Sequence, residues 1–263
     1  MLPNVRFLGL DLYMIMIFIG LLAAIIVFRV FCTLKKNPAN VFNFFIIVIA
    51  VAIVLGFLSA TLFQSIYNYL ASGVWQWKGM TFLGGLVGGV ACFFLLYFSI
   101  GHFVFPKKEH ILHFSDFVRC ALPCIALAHA FGRIGCLFDG CCYGMKSEAF
   151  GIPMLIHGVY EKRVPTQLIE CIFLFALFAV LAYLLLKKDN HYTAQIYLIA
   201  YGVFRFALEF LRDDPRGSSG ISFITPSQLI SILFVLLGVG LIFFHKYLYP
   251  KLIEKLQPYE NKE

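Results

Sequence analysis

The sequence predicts an all-α integral membrane protein with seven transmembrane helices, and three observations carry that prediction. Of 263 residues, 61% are apolar and only 13% are charged, whereas soluble domains carry about a quarter charged residues. Seven apolar runs each approach the ~20 residues that a spanning helix requires. Paired or clustered lysines sit between alternate runs, which is the asymmetry that sets membrane orientation.

The first run, Leu10 to Phe31, is too long for a signal-peptide core and lacks a basic leader and a small-residue cleavage site, so it is expected to be a retained anchor. The next runs are Val41 to Leu62, Met80 to Phe103 and Phe114 to Gly135, followed by Thr166 to Leu186, Thr193 to Leu211 and Gln228 to Phe244. The fourth and sixth are the least apolar because they contain His129, Arg133, Arg205 and Glu209. Lys35 and Lys36, Lys107 and Lys108, Lys187 and Lys188, then Lys246, Lys251 and Lys255 fall on one side. That side is expected to be cytoplasmic, with the N-terminus outside and the C-terminus inside.

A single transmembrane domain, 1–263, is therefore expected, with outward loops at about 64–79, 136–165 and 212–226. Tyr67, Tyr69, Trp75 and Trp77 suit a segment lying along the interface. A short polar tail follows Pro250. The formal net charge of +7 comes largely from the short loops, so it marks topology and implies no nucleic-acid partner. Cys32, Cys92 and Cys171, in or beside apolar runs, read as packing residues.

Ionisable side chains inside a bilayer cost roughly 2.5–3.5 kcal/mol each, which makes them markers of function. His129 and Arg133 are four residues apart and share a helical face, and Arg205, Glu209 and Arg212 form a second such face. Two faces of this kind enclose a polar pocket; alternatively, Arg205 and Glu209 merely neutralise each other. Arg133 lies between Gly132 and Gly135, where a ligand backbone can approach and a guanidinium can grip phosphate with two parallel hydrogen bonds. Near the outer surface, such a phosphate belongs to a phospholipid headgroup.

Gly84, Gly85, Gly88 and Gly89 open the third run. Their spacing fits close helix packing and also leaves room for a lipid glycerol. Pro165, Thr166 and Gln167 begin the fifth run, which places Glu170 as a counter-charge for Arg133 or Arg205, or as a proton acceptor. Gln228 is a comparable polar residue at the start of the seventh.

Taken in order, these segments resemble the prolipoprotein diacylglyceryl transferase family. That family carries Gly-Gly-Leu-x-Gly, then Gly-Arg-x-Gly-Asn-x-x-Asn-Gly-Glu-x-x-Gly, then Pro-Ser/Thr-Gln-x-x-Glu. Its Tyr-Gly-x-x-Arg-Phe-x-x-Glu-Phe-x-Arg stretch is matched by Tyr201, Gly202, Arg205, Phe206, Glu209, Phe210 and Arg212, and its later Gln by Gln228. The resemblance implies a multi-pass enzyme of the bacterial inner membrane that needs no cofactor. It would move diacylglycerol from phosphatidylglycerol, or a related anionic phospholipid, to the cysteine thiol of a prolipoprotein.

By the same resemblance, Arg133 and Arg205 bind the headgroup phosphate and stabilise its growing charge, with His129 and Glu170 as further catalytic candidates. Tyr13, Gly84, Gly85, Cys136, Asp139, Cys141, Gly144, Tyr201, Glu209, Arg212 and Gln228 are the implied substrate-binding positions. The chain departs from the pattern where a family histidine is Leu83, and His129 is either the replacement base or a packing residue. The signature's two Asn and its Glu are Cys136, Asp139 and Cys141, followed by Cys142.

Three readings of Cys136, Cys141 and Cys142 stand side by side: a disulfide pinning the loop, reactive thiols whose pKa a neighbouring positive charge lowers, and metal ligands with His129. Their spacing matches no standard zinc pattern, and no metal is expected. A paralogue with another acceptor, a non-catalytic lipid-binding protein and a membrane thiol oxidoreductase are the competing functions. The last predicts that the cysteines matter and Arg133 does not.

Overall fold

The computed structural model describes residues 6–7, 10–156, 158–213 and 224–260. The chain forms a first short hairpin, β1 (Arg6–Phe7) with β2 (Leu10–Asp11), then α1 (Leu12–Leu34), α2 (Ala39–Ser72), α3 (Phe82–Val104), the single turn α4 (Glu109–Leu112) and α5 (Phe114–Asp139). A second hairpin, β3 (Ile152–Ile156) with β4 (Val159–Arg163), precedes α6 (Thr166–Lys187), α7 (Thr193–Glu209) and α8 (Pro226–Phe243). A π-helical turn, Phe244–Leu248, leads into α9 (Tyr249–Glu260).

Among the described residues, six helices are long and apolar enough to cross a membrane. The expected sixth run is instead the 17-residue α7, about 26 Å long at 1.5 Å per residue, against a hydrocarbon core of roughly 30 Å. It ends at Glu209 rather than Leu211 because the next three amides turn back on carbonyls three residues earlier (Phe210 to Ala207, Leu211 to Leu208, Arg212 to Glu209). Arg212 is thereby taken off the face it was expected to share with Arg205 and Glu209.

Other boundaries also moved. The second run continues ten residues past Leu62 to Ser72, since Ser65 and Ser72 return their hydroxyls to carbonyls four residues earlier. Nothing in the sequence stops the helix before Gly73, whose φ of 71° closes it in the left-handed conformation. Tyr67 and Tyr69 are thus helical, while Trp75 and Trp77 follow outside regular secondary structure. The expected polar tail is helical as well, with Pro250 tolerated in the first turn of α9.

The stretch expected as an outward loop, 136–165, contains β3 and β4 paired antiparallel from Ile152↔Arg163 to Ile156↔Val159. Two residues separate the paired ends, one of them Gly158 at φ 85°, a backbone geometry suited to a tight hairpin. Fully buried Met154 anchors the ribbon. Residues 214–223 of the expected 212–226 loop lie outside the described residues.

The chain folds as two compact units, 1–35 with 116–251, and 36–115 with 252–263. In the first, Ala126 and Ala130 of α5 meet Cys171, Leu174, Leu177 and Leu181 of α6 and Tyr197 and Tyr201 of α7 in a buried core. Away from that core, Leu22 (61%), Ile172 (62%) and Leu236 (62%) face outward. Apolar surface displayed over whole helices is the mark of a lipid-facing protein. At the lysine-bearing ends, Lys35 and Arg119 share the Asp189 carboxylate.

Helix α7 crosses α8 at Gly202, where an added Cβ would lie 2.8 Å from the Ser231 carbonyl oxygen and 2.9 Å from Val235. Gly202→Ala is expected to cost about 1–3 kcal/mol through overpacking, read as thermal unfolding in detergent. Gly240→Ala on α8, with nothing within 4 Å of the added carbon, serves as the tolerated control.

In the second unit, Gly56 of α2 faces Gly85 and Gly89 of α3, and the Ser59 hydroxyl donates to the Gly84 carbonyl at 2.9 Å. The space a side chain would take at Gly84 and Gly85 is filled by Phe63 and Ala60 of α2, which is the packing reading of these glycines. The side chain of Leu83 lies outside the described residues.

His110 of α4 is fully buried against Gly101, and Tyr97 donates its hydroxyl to the His110 carbonyl. Burial, with Lys108 and His102 nearby, pushes the imidazole down to about 4 from 6.5. The unfolded chain takes up this proton first, so the stabilisation from neutral His110 is complete above 6.5 and lost as pH falls toward 4. Protection factors across α3 and α4, with the intrinsic pH dependence of amide exchange divided out, should therefore be lower at about pH 5 than at about pH 7.

Candidate active site

The first unit gathers its polar side chains where the C-terminal ends of α5 and α7 meet the N-terminal ends of α6 and α8. Glu170, one turn into α6, is completely buried. Its Oε1 lies 3.0 Å from an Arg133 terminal nitrogen, 4.0 Å from Arg205 Nε and 3.7 Å from His129 Nε2, and it accepts the Tyr201 hydroxyl at 2.8 Å. Helical spacing explains the convergence: His129 and Arg133 are four apart on α5, as are Tyr201 and Arg205 on α7. Each pair points the same way toward α6.

Arg205 is the better neutralised of the two cations. It contacts Glu209 at 2.7 Å, one turn along α7, and donates to the Ser227 hydroxyl at 3.1 Å. Glu209 in turn accepts from the Thr225 hydroxyl at 2.9 Å. Arg133 shares Glu170 with three other groups, and its Nε has no hydrogen-bond partner among the described residues. A buried guanidinium with an unused donor edge is poised to take an anion. The His129 ring packs edge-on against Tyr201, with centroids 5.2 Å apart.

Gln228 caps the helix that it begins. Its Oε1 accepts the Thr225 amide while the Thr225 hydroxyl accepts the Gln228 amide, a reciprocal cap that starts α8. Tyr13 of α1 lays its ring against Gly135, where an added Cβ would be 3.0 Å away. Asp139 is exposed at the end of α5.

Beyond α5, positive φ at Gly140 (79°) and Cys142 (63°) folds the chain back on itself. This brings the sulfurs of Cys136, Cys141 and Cys142 within 4.8 Å of one another as free thiols, with His129 outside the group. Hydrogen bonds from Cys136 and Cys141, reinforced by the Arg212 guanidinium, hold the Cys142 thiol below its ordinary range. Cys141, the proton donor in that arrangement, is pushed up by the same bonds and by burial. The loop is fastened to α6: Gln167 donates to the Cys141 carbonyl and Thr166 to that of Cys142.

Sequence reasoning missed three groups in this region. Arg163 at the end of β4 binds Glu161 at 2.7 Å, pairs with Asp213 and lies 5.0 Å over the Tyr143 ring. Lys146 and Arg163 hold the half-buried Glu161 carboxyl below its usual range. Ser227 and Thr225 are the others, and Thr-x-x-Gln at the head of an apolar run was the available signal for the cap.

Gly144 bridges to Arg212 by antiparallel pairing, and its amide donates to the Val164 carbonyl at 2.9 Å. A Cβ there would sit 2.6 Å from the Leu211 oxygen and 2.8 Å from the Val164 oxygen. Because both are backbone atoms, Gly144→Ala is expected to displace Arg212 and lower activity about tenfold or more, as misplacement near a site commonly does. Turnover alongside unchanged helix content by circular dichroism checks this.

Comparison with known proteins yields a match of residues 2–244 to a family model described as prolipoprotein diacylglyceryl transferase. The chain is 38% identical over 166 residues to a phosphatidylglycerol–prolipoprotein diacylglyceryl transferase 2 of Clostridium perfringens, covering 61% of this chain and 60% of that protein. It is 33% identical to a phosphatidylglycerol–prolipoprotein diacylglyceryl transferase of Clostridium tetani, covering 62% of each. The likeness to a protein of the same name from Dehalococcoides mccartyi is 25% over 86% of both chains. The chain thus spans about three fifths of the length of the two clostridial relatives.

Proposed function

The chain belongs to the prolipoprotein diacylglyceryl transferase family, and from that premise we propose that it transfers a diacylglyceryl group from phosphatidylglycerol to the cysteine thiol of a prolipoprotein. The observation that carries the proposal is the meeting of Arg133 and Arg205, from separate helices, at one oxygen of fully buried Glu170. Glu170 holds both cations in place in the apo protein. The headgroup phosphate then takes the Arg133 Nε donor that the protein leaves unused.

In the reaction, the acceptor sulfur attacks the glyceryl carbon that carries the phosphate oxygen. The C–O bond breaks, a C–S bond forms, and glycerol phosphate leaves. Negative charge collects on the departing phosphate, where preorganised guanidinium groups lower the barrier. The acceptor thiol must lose its proton, and His129 is the imidazole of this cluster in place to receive it.

The same reading counts α7 as a seventh crossing, with the N-terminus outside, the C-terminus in the cytoplasm and the enzyme in the bacterial inner membrane. The lysines in alternate loops support it, and it puts the ends of α5 to α8 that bear the site on the outer side. Expression in cells depleted of their own diacylglyceryl transferase tests the function. The proposal expects lipoproteins to regain their diacylglyceryl group and Arg133→Ala to leave them unmodified; wild-type protein that inserts in the membrane yet restores nothing would contradict it.

A further inference from the structure

Within the reading just given, the three thiols beyond α5 have no part in binding the headgroup. We propose that Cys136, Cys141 and Cys142 form a three-thiolate site for a zinc-class cation whose fourth position takes the thiol of the acceptor. The inference rests on the proposed function for the identity of that fourth ligand, and on geometry for the rest.

The geometry begins with the distances. A zinc–sulfur bond of about 2.3 Å sets the sulfurs of a tetrahedral site about 3.8 Å apart. The three sulfurs here already lie within 4.8 Å of one another, so small side-chain rotations close the gap. Two of the three residues sit in a loop whose carbonyls are pinned to α6 by Thr166 and Gln167. The third is on α5, one turn beyond Arg133, so a bound cation would also tie the loop to the helix that carries the phosphate clamp.

A vicinal disulfide fits less well. Neighbouring α-carbons are about 3.8 Å apart, below the ~4.4 Å at which disulfides begin. Any single disulfide would also leave one thiol of the trio over.

Charge supports the same conclusion. Three thiolates and a divalent cation sum to one negative charge, and the Arg212 guanidinium, which hydrogen-bonds Cys142, offsets it. Donors to metal-bound sulfur from outside the coordination sphere are the usual way such sites are tuned. Cys141 and Cys142 are only half-buried while Cys136 is buried, so the group is open on one side. Three protein ligands with one open position is the arrangement of catalytic rather than purely structural zinc.

Loading the site would release to solvent the protons that the three thiols still carry. A cation held by the three cysteines would lower the pKa of an acceptor thiol at the open position, and His129 would take the proton that this thiol gives up. That sulfur then forms the C–S bond as the C–O bond to phosphate breaks and glycerol phosphate departs. No electron is transferred at any step.

The test is a titration of purified, reduced, metal-free protein with cadmium ion, followed by ultraviolet sulfur-to-metal charge transfer. A single saturating equivalent is expected, and each of Cys136→Ser, Cys141→Ser and Cys142→Ser should weaken binding at least about tenfold. Cys32→Ala, remote from the trio in sequence and buried elsewhere, should leave it unchanged. A synthetic peptide with one cysteine should then intensify the band on the loaded protein, and its serine counterpart should not.

Absence of the band, or a Cys141–Cys142 or Cys136–Cys141 disulfide found by mass spectrometry in protein isolated without oxidant, overturns the site. A band the peptide leaves unchanged overturns the open position. The proposed function fails separately: a loaded site with no glycerol phosphate release contradicts the transferase reading, whereas release that survives chelation contradicts only the metal.

Discussion

Replacing Arg133 by alanine is expected to cut turnover by about 100- to 1000-fold, the scale of losing one preorganised donor to a developing negative charge. Arg133 leaves its buried Nε without a hydrogen-bond partner among the described residues, whereas Arg205 also pairs with Glu209 and Ser227, so Arg133 has more to give to a phosphate. Arg133→Lys sharpens the prediction. Lysine keeps the charge near Glu170 but supplies no planar fork, so the loss should persist mainly in turnover with folding intact. A Lys variant as active as wild type would show that charge alone is needed there.

Removing the charge of Glu170 is expected to have the largest effect on stability. Its single oxygen faces two guanidinium groups, an imidazole and a tyrosine hydroxyl in a fully buried setting. Glu170→Gln keeps the shape and an acceptor for Tyr201 but leaves Arg133 without its charge partner. Breaking a buried pair in this way costs about 3–5 kcal/mol, measurable as unfolding in mixed detergent micelles. Glu209→Gln should cost less, because Arg205 retains Ser227 and the neighbouring Glu170. Equal effects would show that the two carboxylates are interchangeable.

Much of the helical frame was legible in the sequence because apolar length is a local property. The starts of α5 at Phe114 and α6 at Thr166 fall where polar or proline residues interrupt apolar runs. Helix ends that depend on a missing stop signal were not legible: α2 runs on to Gly73 because Gln64, Ser65 and Asn68 are compatible with helix. The β3–β4 hairpin was hidden by Pro153 and by the charged residues of β4, which resemble loop composition until the pairing of Ile156 with Val159 is seen.

The site shows the same division. Ionisable residues in apolar runs stand out, so His129, Arg133, Glu170, Arg205 and Glu209 were visible one by one. That four groups share one oxygen of Glu170 is a fact of helix packing, which spacing along any one helix does not encode. Arg212 was assigned to a helical face by its spacing from Glu209, yet the chain turns before reaching it. The assembly of the cysteine trio was not legible for a similar reason: it depends on the positive-φ backbone of Gly140 and Cys142, which linear spacing does not encode.

The central claim is that Arg133, held with Arg205 by Glu170, grips the phosphate of a phospholipid whose glyceryl group is then moved to a thiol. Incubating purified protein with headgroup-labelled phosphatidylglycerol and a peptide bearing one cysteine measures this directly. The account predicts release of labelled glycerol phosphate together with a thioether on the peptide, both abolished by Arg133→Ala. Lipid binding without release, or release unaffected by Arg133→Ala, would contradict it.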